Sequence, residues 1–77
     1  MYEKIKELIC NYVEVDADDI TENSKFIEDL GFNSYDFMSM LGDIEEEFGV
    51  TVDEEEILNV HTVGEAIDYL NKLKGEN

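Results

Sequence analysis

The stretch "LGFNSYDFMSML", from Leu30 to Leu41, joins a glycine-led loop to the start of an amphipathic helix. Beyond Ser34, apolar side chains recur at positions 37, 40, 41, 44 and 48, which is the spacing of one buried helix face. Asn33 is a favourable N-cap, and Asp36 carries a negative charge in the first turn, where the helix dipole favours it. Gly49 is a residue type that commonly ends a helix at its C-terminus. The stretch therefore predicts a helix over 34–48, with the Ser34 hydroxyl pointing outward from its first turn.

One further helix is predicted before this one and two are predicted after it. Apolar residues at positions 2, 5, 8, 9, 12 and 13 predict a helix over 2–14. Asp53 with Glu56, and Thr62 with Glu65, have the spacing of capping boxes. They predict a short helix over 54–59 and a last helix over 63–74, whose buried face includes positions 63, 66, 67 and 70.

Residues 15–33 are mostly polar and predict a long first loop. We expect four apolar residues to pin this loop against the core: Ile20, Phe26, Ile27 and Leu30. The chain has no proline and no alternating strand pattern. Residues 1–77 are therefore predicted to form one all-α domain, a small four-helix bundle with three longer helices, one short helix and a long first loop.

Charge is the strongest compositional signal. The formal net charge is −16, from 21 acidic residues and five lysines, and positions 26–71 contain neither lysine nor arginine. Binding to nucleic acid requires basic side chains that neutralise phosphates, so nucleic acid is excluded as a direct partner. A long segment that carries only negative charges destabilises the folded chain by self-repulsion. Solubility alone does not require this cost, so we interpret the acidity as a means of attracting a partner that has a basic patch.

Other compositional features predict a monomer in the cytoplasm. The single cysteine, Cys10, cannot form an internal disulfide, and we interpret it as a small, partly buried apolar residue. No apolar stretch approaches the ~20 residues of a membrane span, so no membrane insertion is expected. The acidic segment 16–27 fails as an EF-hand because Ile20 and Ile27 occupy its fifth and twelfth positions, and no metal site is predicted.

The outward face of the 34–48 helix carries unusual residues. Tyr35 and Met38 lie one turn apart there, together with Gly42 and Glu45. A glycine in mid-helix costs ~1 kcal/mol relative to alanine, and the usual compensation is close approach of another surface. We interpret this face as a docking surface; the alternative is that Tyr35 and Met38 pack against the long loop.

Ser34 has three possible roles: helix cap, nucleophile or attachment point. Asn33 already occupies the cap position. A nucleophile needs a base and an oxyanion site, but the only histidine is His61, and "GFNSY" does not match the G-x-S-x-G elbow. We interpret His61 as a surface or packing residue. Attachment remains, because the positive end of a helix tolerates a phosphodiester.

Four segments resemble the acyl carrier protein family in the same order and spacing. "DLGFNSYDF" resembles the family's D-L-G-x-D-S-L stretch around its modified serine, and "ITENSKFIEDLG" resembles the segment before it. "DIEEEFGVTVDEEE" resembles the acidic end of the second helix and the loop beyond, and "HTVGEAIDYLNKL" resembles the closing helix. The resemblance extends along nearly the whole chain and implies the acyl-carrier type of helical bundle.

The resemblance implies a carrier and not an enzyme. A phosphopantetheinyl transferase would move 4′-phosphopantetheine from coenzyme A to Ser34, and the arm would hold acyl groups as thioesters for fatty-acid, polyketide or related biosynthesis. Asn33, Tyr35, Met38 and Val60 would line the arm. Acyl-transfer and synthase enzymes with basic patches would bind the second helix through Tyr35, Asp36, Met38, Ser39, Gly42, Asp43, Glu45 and Glu46.

The sequence departs from the family on this contact surface. Asn33 replaces the usual aspartate and Tyr35 the usual leucine, Ser39 stands where glutamate is common, and Gly42 where a larger apolar residue is common. These changes predict a partner set different from that of housekeeping fatty-acid synthesis. The alternatives are an amino-acyl carrier, such as a D-alanyl carrier, and an acidic interaction module that is never modified.

Overall fold

The computed structural model describes residues 2–75, which form four α-helices and one short 3-10 turn. Helix α1 spans Tyr2–Cys10, α2 Ser34–Phe48, α3 Glu54–Ile57 and α4 Val63–Leu73, and the 3-10 turn lies at Ala17–Asp19. An isolated backbone bridge between Lys25 and Thr62 is the one β-type pairing within residues 2–75. The prediction of an all-α bundle with one short helix and a long first loop is confirmed.

The predicted end of the first helix is wrong. The prediction was 2–14, but α1 ends at Cys10, and the amides of Asn11 and Tyr12 donate to the carbonyls of residues 8 and 9 in a tighter turn. By leaving the helix, Tyr12 places its ring near Phe32 and its hydroxyl on Asp43 of α2. A tertiary contact therefore replaces the last turn that the apolar spacing predicted.

Helices α3 and α4 are also shorter than predicted. The prediction of 54–59 for α3 is wrong by two residues, because the chain after Ile57 tightens and the amides of Asn59 and Val60 donate to the carbonyls three residues earlier. Helix α4 ends at Leu73 with Lys74 as its C-cap, where 63–74 was predicted. The tightened end of α3 turns Val60 into the protein interior.

Caps position the helices as their sequences indicate. Asn33 accepts a hydrogen bond from the Asp36 amide, and Thr62 and Glu65 form a complete capping box at the start of α4. Asp53 also caps α3, but the expected return bond from Glu56 is not made. The Glu56 carboxylate instead accepts a bond of 3.0 Å from the hydroxyl of Tyr69 on α4.

The core draws on every helix and on the long loop. Phe26 and Leu30 are buried, but the prediction that Ile27 pins the loop is wrong, because its side chain is 53% exposed. Phe32 and Tyr69 are buried although the apolar patterns did not mark them. The buried apolar side chains are Ile5, Leu8, Ile9, Ile20, Phe26, Leu30, Phe32, Met40, Leu41, Ile44, Ile57, Val60, Val63, Ala66, Tyr69 and Leu70.

Cys10 does not have the partly buried position that the sequence predicted. The buried stripe of α1 consists of Ile5, Leu8 and Ile9, and Cys10 follows it on the exposed side of the helix. Its thiol lies 3.5 Å from the carbonyl oxygen of Val15, to which it donates.

The long loop is clamped to the start of α4 by backbone hydrogen bonds. The Phe26 amide donates to the carbonyl of His61 at 3.0 Å, and the Val63 amide donates to the carbonyl of Ser24 at 3.0 Å. The Gly64 amide donates to the carbonyl of Glu22 at 2.9 Å. A Cβ atom at position 64 would lie only 3.1 Å from that carbonyl oxygen, so glycine permits the close approach of loop and helix.

Two glycine substitutions should therefore have opposite effects on stability. We expect Gly64→Ala to lower the free energy of unfolding by about 1 kcal/mol, because the new methyl group presses on the Glu22 backbone. Gly42→Ala should raise it by about 0.5–1 kcal/mol, because position 42 is helical and nothing lies within 4 Å of the added atom. Urea unfolding of both variants measures this; stabilisation by Gly64→Ala would contradict the clamp.

Candidate functional site

Ser34 is the first residue of α2 and is exposed to solvent. The chain reaches it through Gly31, whose φ of +82° lies in the left-handed region that favours glycine. Phe32 then points into the core, while Asn33 and Ser34 are exposed. The Oδ1 atom of Asn33 accepts from the Asp36 amide at 2.7 Å, so the cap is made by Asn33 and the Ser34 hydroxyl is left for another use.

Aromatic packing holds this turn in place. The Phe32 ring meets the Phe26 ring edge to face, with centroids 5.7 Å apart, and the centroid of the Phe37 ring of α2 lies 5.1 Å from that of Phe26. Such pairs add to the energy of apolar burial. The Phe32 amide also donates to the carbonyl of Phe26 at 3.0 Å. Buried and well-packed aromatic residues therefore fix the position of the backbone that carries the exposed Ser34 hydroxyl.

The start of α2 is suited to an anion. Among the described residues, no carbonyl or carboxylate accepts a hydrogen bond from the amides of Ser34 and Tyr35, and both amides belong to the positive end of the helix dipole. A phosphodiester on the Ser34 oxygen would lie next to these donors. The residues present therefore fit a phosphate-linked group at this position.

A groove of about 720 Å³ opens beside Ser34. Its walls come from α2, from α3 and the turn after it, from the long loop and from the start of α4. Apolar side chains dominate the lining: Phe26, Ile27, Phe37, Met38, Ile57, Leu58 and Val60. Polar side chains complete it: Lys25, Glu28, Ser34, His61, Thr62 and Glu65. Ser34 therefore lies at the edge of a space that an attached chain could enter.

Of the four residues expected beside the arm, Met38 and Val60 line this groove, and Asn33 and Tyr35 are not among its lining residues. Val60, expected beside the arm, is buried and forms part of the wall, and Met38 lines the same space. Ile27 and Leu58 were missed, although both are large apolar side chains exposed at the groove. Their positions follow from the irregular loop and the tightened end of α3, which no helical periodicity describes.

One carboxylate that lines the groove, that of Glu65, accepts hydrogen bonds from the backbone. The Oε1 atom of Glu65 accepts from the amides of His61 and Thr62 at 2.9 and 3.0 Å. These two backbone hydrogen bonds stabilise the carboxylate and lower the pKa of Glu65 below its ordinary value.

The outward face of α2 has the exposed apolar residues that its sequence indicated. Tyr35 is 78% exposed and Met38 47% exposed, and Gly42 is exposed with open space over it. Glu46 is exposed on this helix as well, whereas Asp36 and Ser39 are half-buried. The alternative, in which Tyr35 and Met38 pack against the long loop, does not describe Tyr35, whereas Met38 lines the groove together with residues of that loop.

Two of the acids expected at this surface have internal partners. Asp43 accepts a hydrogen bond from the Tyr12 hydroxyl, and this bond, with partial desolvation, raises the pKa of Tyr12 to about 12. The Oε2 atom of Glu45 accepts from the amide of Val52 at 2.8 Å and so supports the chain between α2 and α3. Their carboxylates are therefore less available to a partner than their position in the sequence indicated.

Other kinds of site receive no support from the described residues. Within residues 2–75, His, Cys, Asp and Glu side chains form no group of three or more that could hold a metal ion. No helix in the same range is long and apolar enough to cross a membrane. In the acidic loop, Asp16 caps the 3-10 turn by accepting from the Asp18 amide.

Comparison with known proteins agrees with this geometry. The family model described as "Phosphopantetheine attachment site" matches residues 3–70. The structure of the acyl carrier protein from Enterococcus faecalis is similar to this one, with a TM-score of 0.81 and 29% sequence identity. The match covers 94% of this chain and 91% of that one. The chain therefore belongs to the phosphopantetheine attachment family and is a non-catalytic carrier protein of acyl-carrier type, with 4′-phosphopantetheine as its prosthetic group.

Proposed function

We propose that Ser34 is the residue that carries the 4′-phosphopantetheine arm. The observation that carries this assignment is the position of its hydroxyl, exposed on the first turn of α2 and at the edge of the groove. The burial of the Phe32 side chain against Phe26, which we call the Phe32 anchor, keeps that hydroxyl at the surface, where a modifying enzyme can reach it.

The modification would transfer 4′-phosphopantetheine from coenzyme A to the Ser34 oxygen by substitution at phosphorus. The Ser34 oxygen bonds to the phosphorus that bears pantetheine, the pyrophosphate bond of coenzyme A breaks, and adenosine bisphosphate leaves. The hydroxyl proton passes to a base on the transferase. The chain contributes the exposed oxygen and the amides of Ser34 and Tyr35, which lie next to the phosphodiester.

The arm then holds acyl groups as thioesters and presents them to other enzymes. Asn33 and Tyr35 flank the attachment point in the chain, Met38 lines the groove one turn further along α2, and Val60 lies in the groove wall along the proposed path of the arm. The pathway we propose is fatty-acid, polyketide or related biosynthesis. The alternatives that stay open are an amino-acyl carrier and an unmodified acidic interaction module.

The proposed partners dock on the outward face of α2. These are a phosphopantetheinyl transferase and acyl-transfer or synthase enzymes with basic patches. Tyr35 and Met38 offer apolar contacts, Gly42 permits close approach, and Asp36, Ser39 and Glu46 offer polar contacts. Asp43 and Glu45 contribute charge from positions already bonded within the fold. The net charge of −16 steers such partners at long range.

The attachment is tested by intact-mass measurement. The protein is incubated with coenzyme A and a promiscuous phosphopantetheinyl transferase, and a mass increase of one phosphopantetheine is expected. Ser34→Ala should abolish the increase, while Thr51→Ala, which removes an exposed hydroxyl from the loop between α2 and α3, should leave it intact. An unchanged mass for the unaltered protein would favour the unmodified interaction module.

The docking face is tested by reversing one charge. We expect Glu46→Lys to lower the kcat/KM of the transferase by about tenfold at low salt, because steering depends on charge close to the docking site. Glu14→Lys makes the same change of net charge at an exposed position outside α2 and should have a smaller effect. Equal losses in the two variants would show that only the total charge matters and would contradict docking on α2.

A further inference from the structure

Tyr12 contacts the chain on both sides of Ser34. Its ring lies near that of Phe32, in the segment 31–33 that precedes α2, with the two centroids 6.1 Å apart. Its hydroxyl donates a hydrogen bond to the Oδ2 atom of Asp43, which lies beyond Ser34 on α2. One side chain from the end of α1 therefore touches both the segment that leads to Ser34 and the helix that follows it.

The backbone that carries Tyr12 is itself held in place. The amides of Tyr12 and Val13 both donate to the carbonyl of Ile9, at 3.0 and 3.1 Å, in the tight turn that follows α1. Ile9 is fully buried in the core. Because the core fixes the end of α1, Tyr12 can hold its neighbours in position.

The Tyr12 hydroxyl lies along one flank of α2. Its pKa is raised to about 12, mainly by the hydrogen bond to Asp43 and partial desolvation, with smaller contributions that include the charge of Asp36. Asp36 is in the first turn of α2, and the helical repeat places Asp43 on the same side of the helix. Among residues 2–75, Tyr12 supplies the one side-chain hydrogen bond to Asp43. This bond fastens the flank of α2 to the end of α1.

The first turn of α2 depends on a cap that lies between the two Tyr12 contacts. Asn33 accepts from the Asp36 amide through its side chain, at 2.7 Å, and from the Phe37 amide through its carbonyl, at 3.0 Å. Helix ends fray, and these bonds last only while the segment 31–33 keeps its position relative to α2. Tyr12 restrains that position because it contacts Phe32 before the cap and Asp43 after it.

The hydrogen bond adds a restraint that apolar packing lacks. Burial of apolar side chains is non-directional, so it does not by itself fix one arrangement of a helix and its neighbours. A hydrogen bond weakens steeply when its distance or angle changes. The bond from Tyr12 to Asp43 therefore limits movement between the end of α1 and α2.

We propose that Tyr12 is a positioning residue for the modification of Ser34. Its contacts with Phe32 and Asp43 hold the segment 31–33 and the first turn of α2 in one arrangement, and so hold the Ser34 hydroxyl in place for the transferase. The inference rests on the proposed function, because it requires modification at Ser34. It adds a residue that lies outside α2, the helix on which partners are proposed to dock.

Steady-state kinetics of the modification test this role. Formation of the modified protein by a promiscuous phosphopantetheinyl transferase is followed by intact mass at varied carrier concentrations. Tyr12→Phe keeps the ring and removes the hydroxyl. We expect it to lower kcat by about fivefold, because a frayed first turn misplaces the Ser34 oxygen in the docked complex. KM should change by less than about twofold, because the docking residues beyond the first turn keep their helical positions.

A matched variant on the same helix controls for stability. Tyr2 is on α1, and its hydroxyl donates to the carbonyl of Ile20 at 3.0 Å. Tyr2→Phe therefore also removes one hydrogen bond of a tyrosine hydroxyl, but that bond does not reach α2. It should lower the melting temperature, as Tyr12→Phe does, and leave kcat and KM unchanged.

Variants of Asp43 separate the hydrogen bond from the charge. Asp43→Asn removes the charge but keeps an oxygen that can accept from Tyr12, whereas Asp43→Ala removes both. We expect Asp43→Ala to lower kcat as Tyr12→Phe does, and Asp43→Asn to retain most of the kcat that the alanine variant loses. The double variant Tyr12→Phe/Asp43→Ala should lose no more than either single variant, because both substitutions remove the same bond.

Amide hydrogen exchange in the unmodified protein supplies a readout that needs no transferase. The Phe37 amide depends on the cap, and the Ile44 amide lies in the middle of α2. In Tyr12→Phe we expect the Phe37 amide to exchange about tenfold faster relative to that of Ile44. Tyr2→Phe should leave this ratio unchanged.

Three results would each overturn the inference and leave Tyr12 as a contributor to stability alone. These are equal kcat values for Tyr12→Phe and Tyr2→Phe, additive losses in the double variant, and an unchanged exchange ratio of Phe37 to Ile44 in Tyr12→Phe. Absence of any modification of the unaltered protein would overturn the assignment of Ser34, and this inference with it. Normal modification with equal kcat values would overturn the role of Tyr12 and leave the carrier function standing.

Discussion

The burial of Phe32 between the long loop and α2 is the constraint on which the functional part of the molecule depends. Its ring packs on Phe26, which in turn packs on Phe37, and its amide is bonded to the carbonyl of Phe26. With Phe32 held inside, the chain must emerge at Asn33 and begin a helix at Ser34. Phe26 and Phe37 of this cluster also line the groove, so the hydroxyl and the space beside it are positioned together.

The acidic residues do not act as one uniform surface. Some hold the fold: Asp43 bonds Tyr12, Glu45 bonds the amide after α2, and Glu65 completes the cap of α4. Others, such as Glu46, are exposed and free to act on a partner. A count of acids therefore overstates the charge available for docking. Because some of the carboxylates accept hydrogen bonds within the structure, a chain with a net charge of −16 can remain folded.

Local signals in the sequence predicted α2 and the helix caps, because a cap and an apolar stripe involve residues within a few positions of one another. The end of α1 and the length of α3 could not be predicted in this way. Tyr12 leaves α1 for contacts with Phe32 and Asp43, which lie 20 and 31 positions further along the chain. The resemblance to carriers led to the proposal that Ser34 bears the arm and that Val60 lies along its path. The positions of Ile27 and Leu58 at the groove depend on how the loop meets α3 and α4.

Amide hydrogen exchange tests the Phe32 anchor most directly. The Phe32 amide donates to the carbonyl of Phe26, the Phe26 amide donates to the carbonyl of His61, and the amide of Ile44 lies in the middle of α2. If the anchor governs the site, all three amides should be protected to a similar degree, by about 100-fold or more over an unstructured peptide, because they open only with the core. Exchange of the Phe32 and Phe26 amides at unstructured rates, while Ile44 stays protected, would contradict the account.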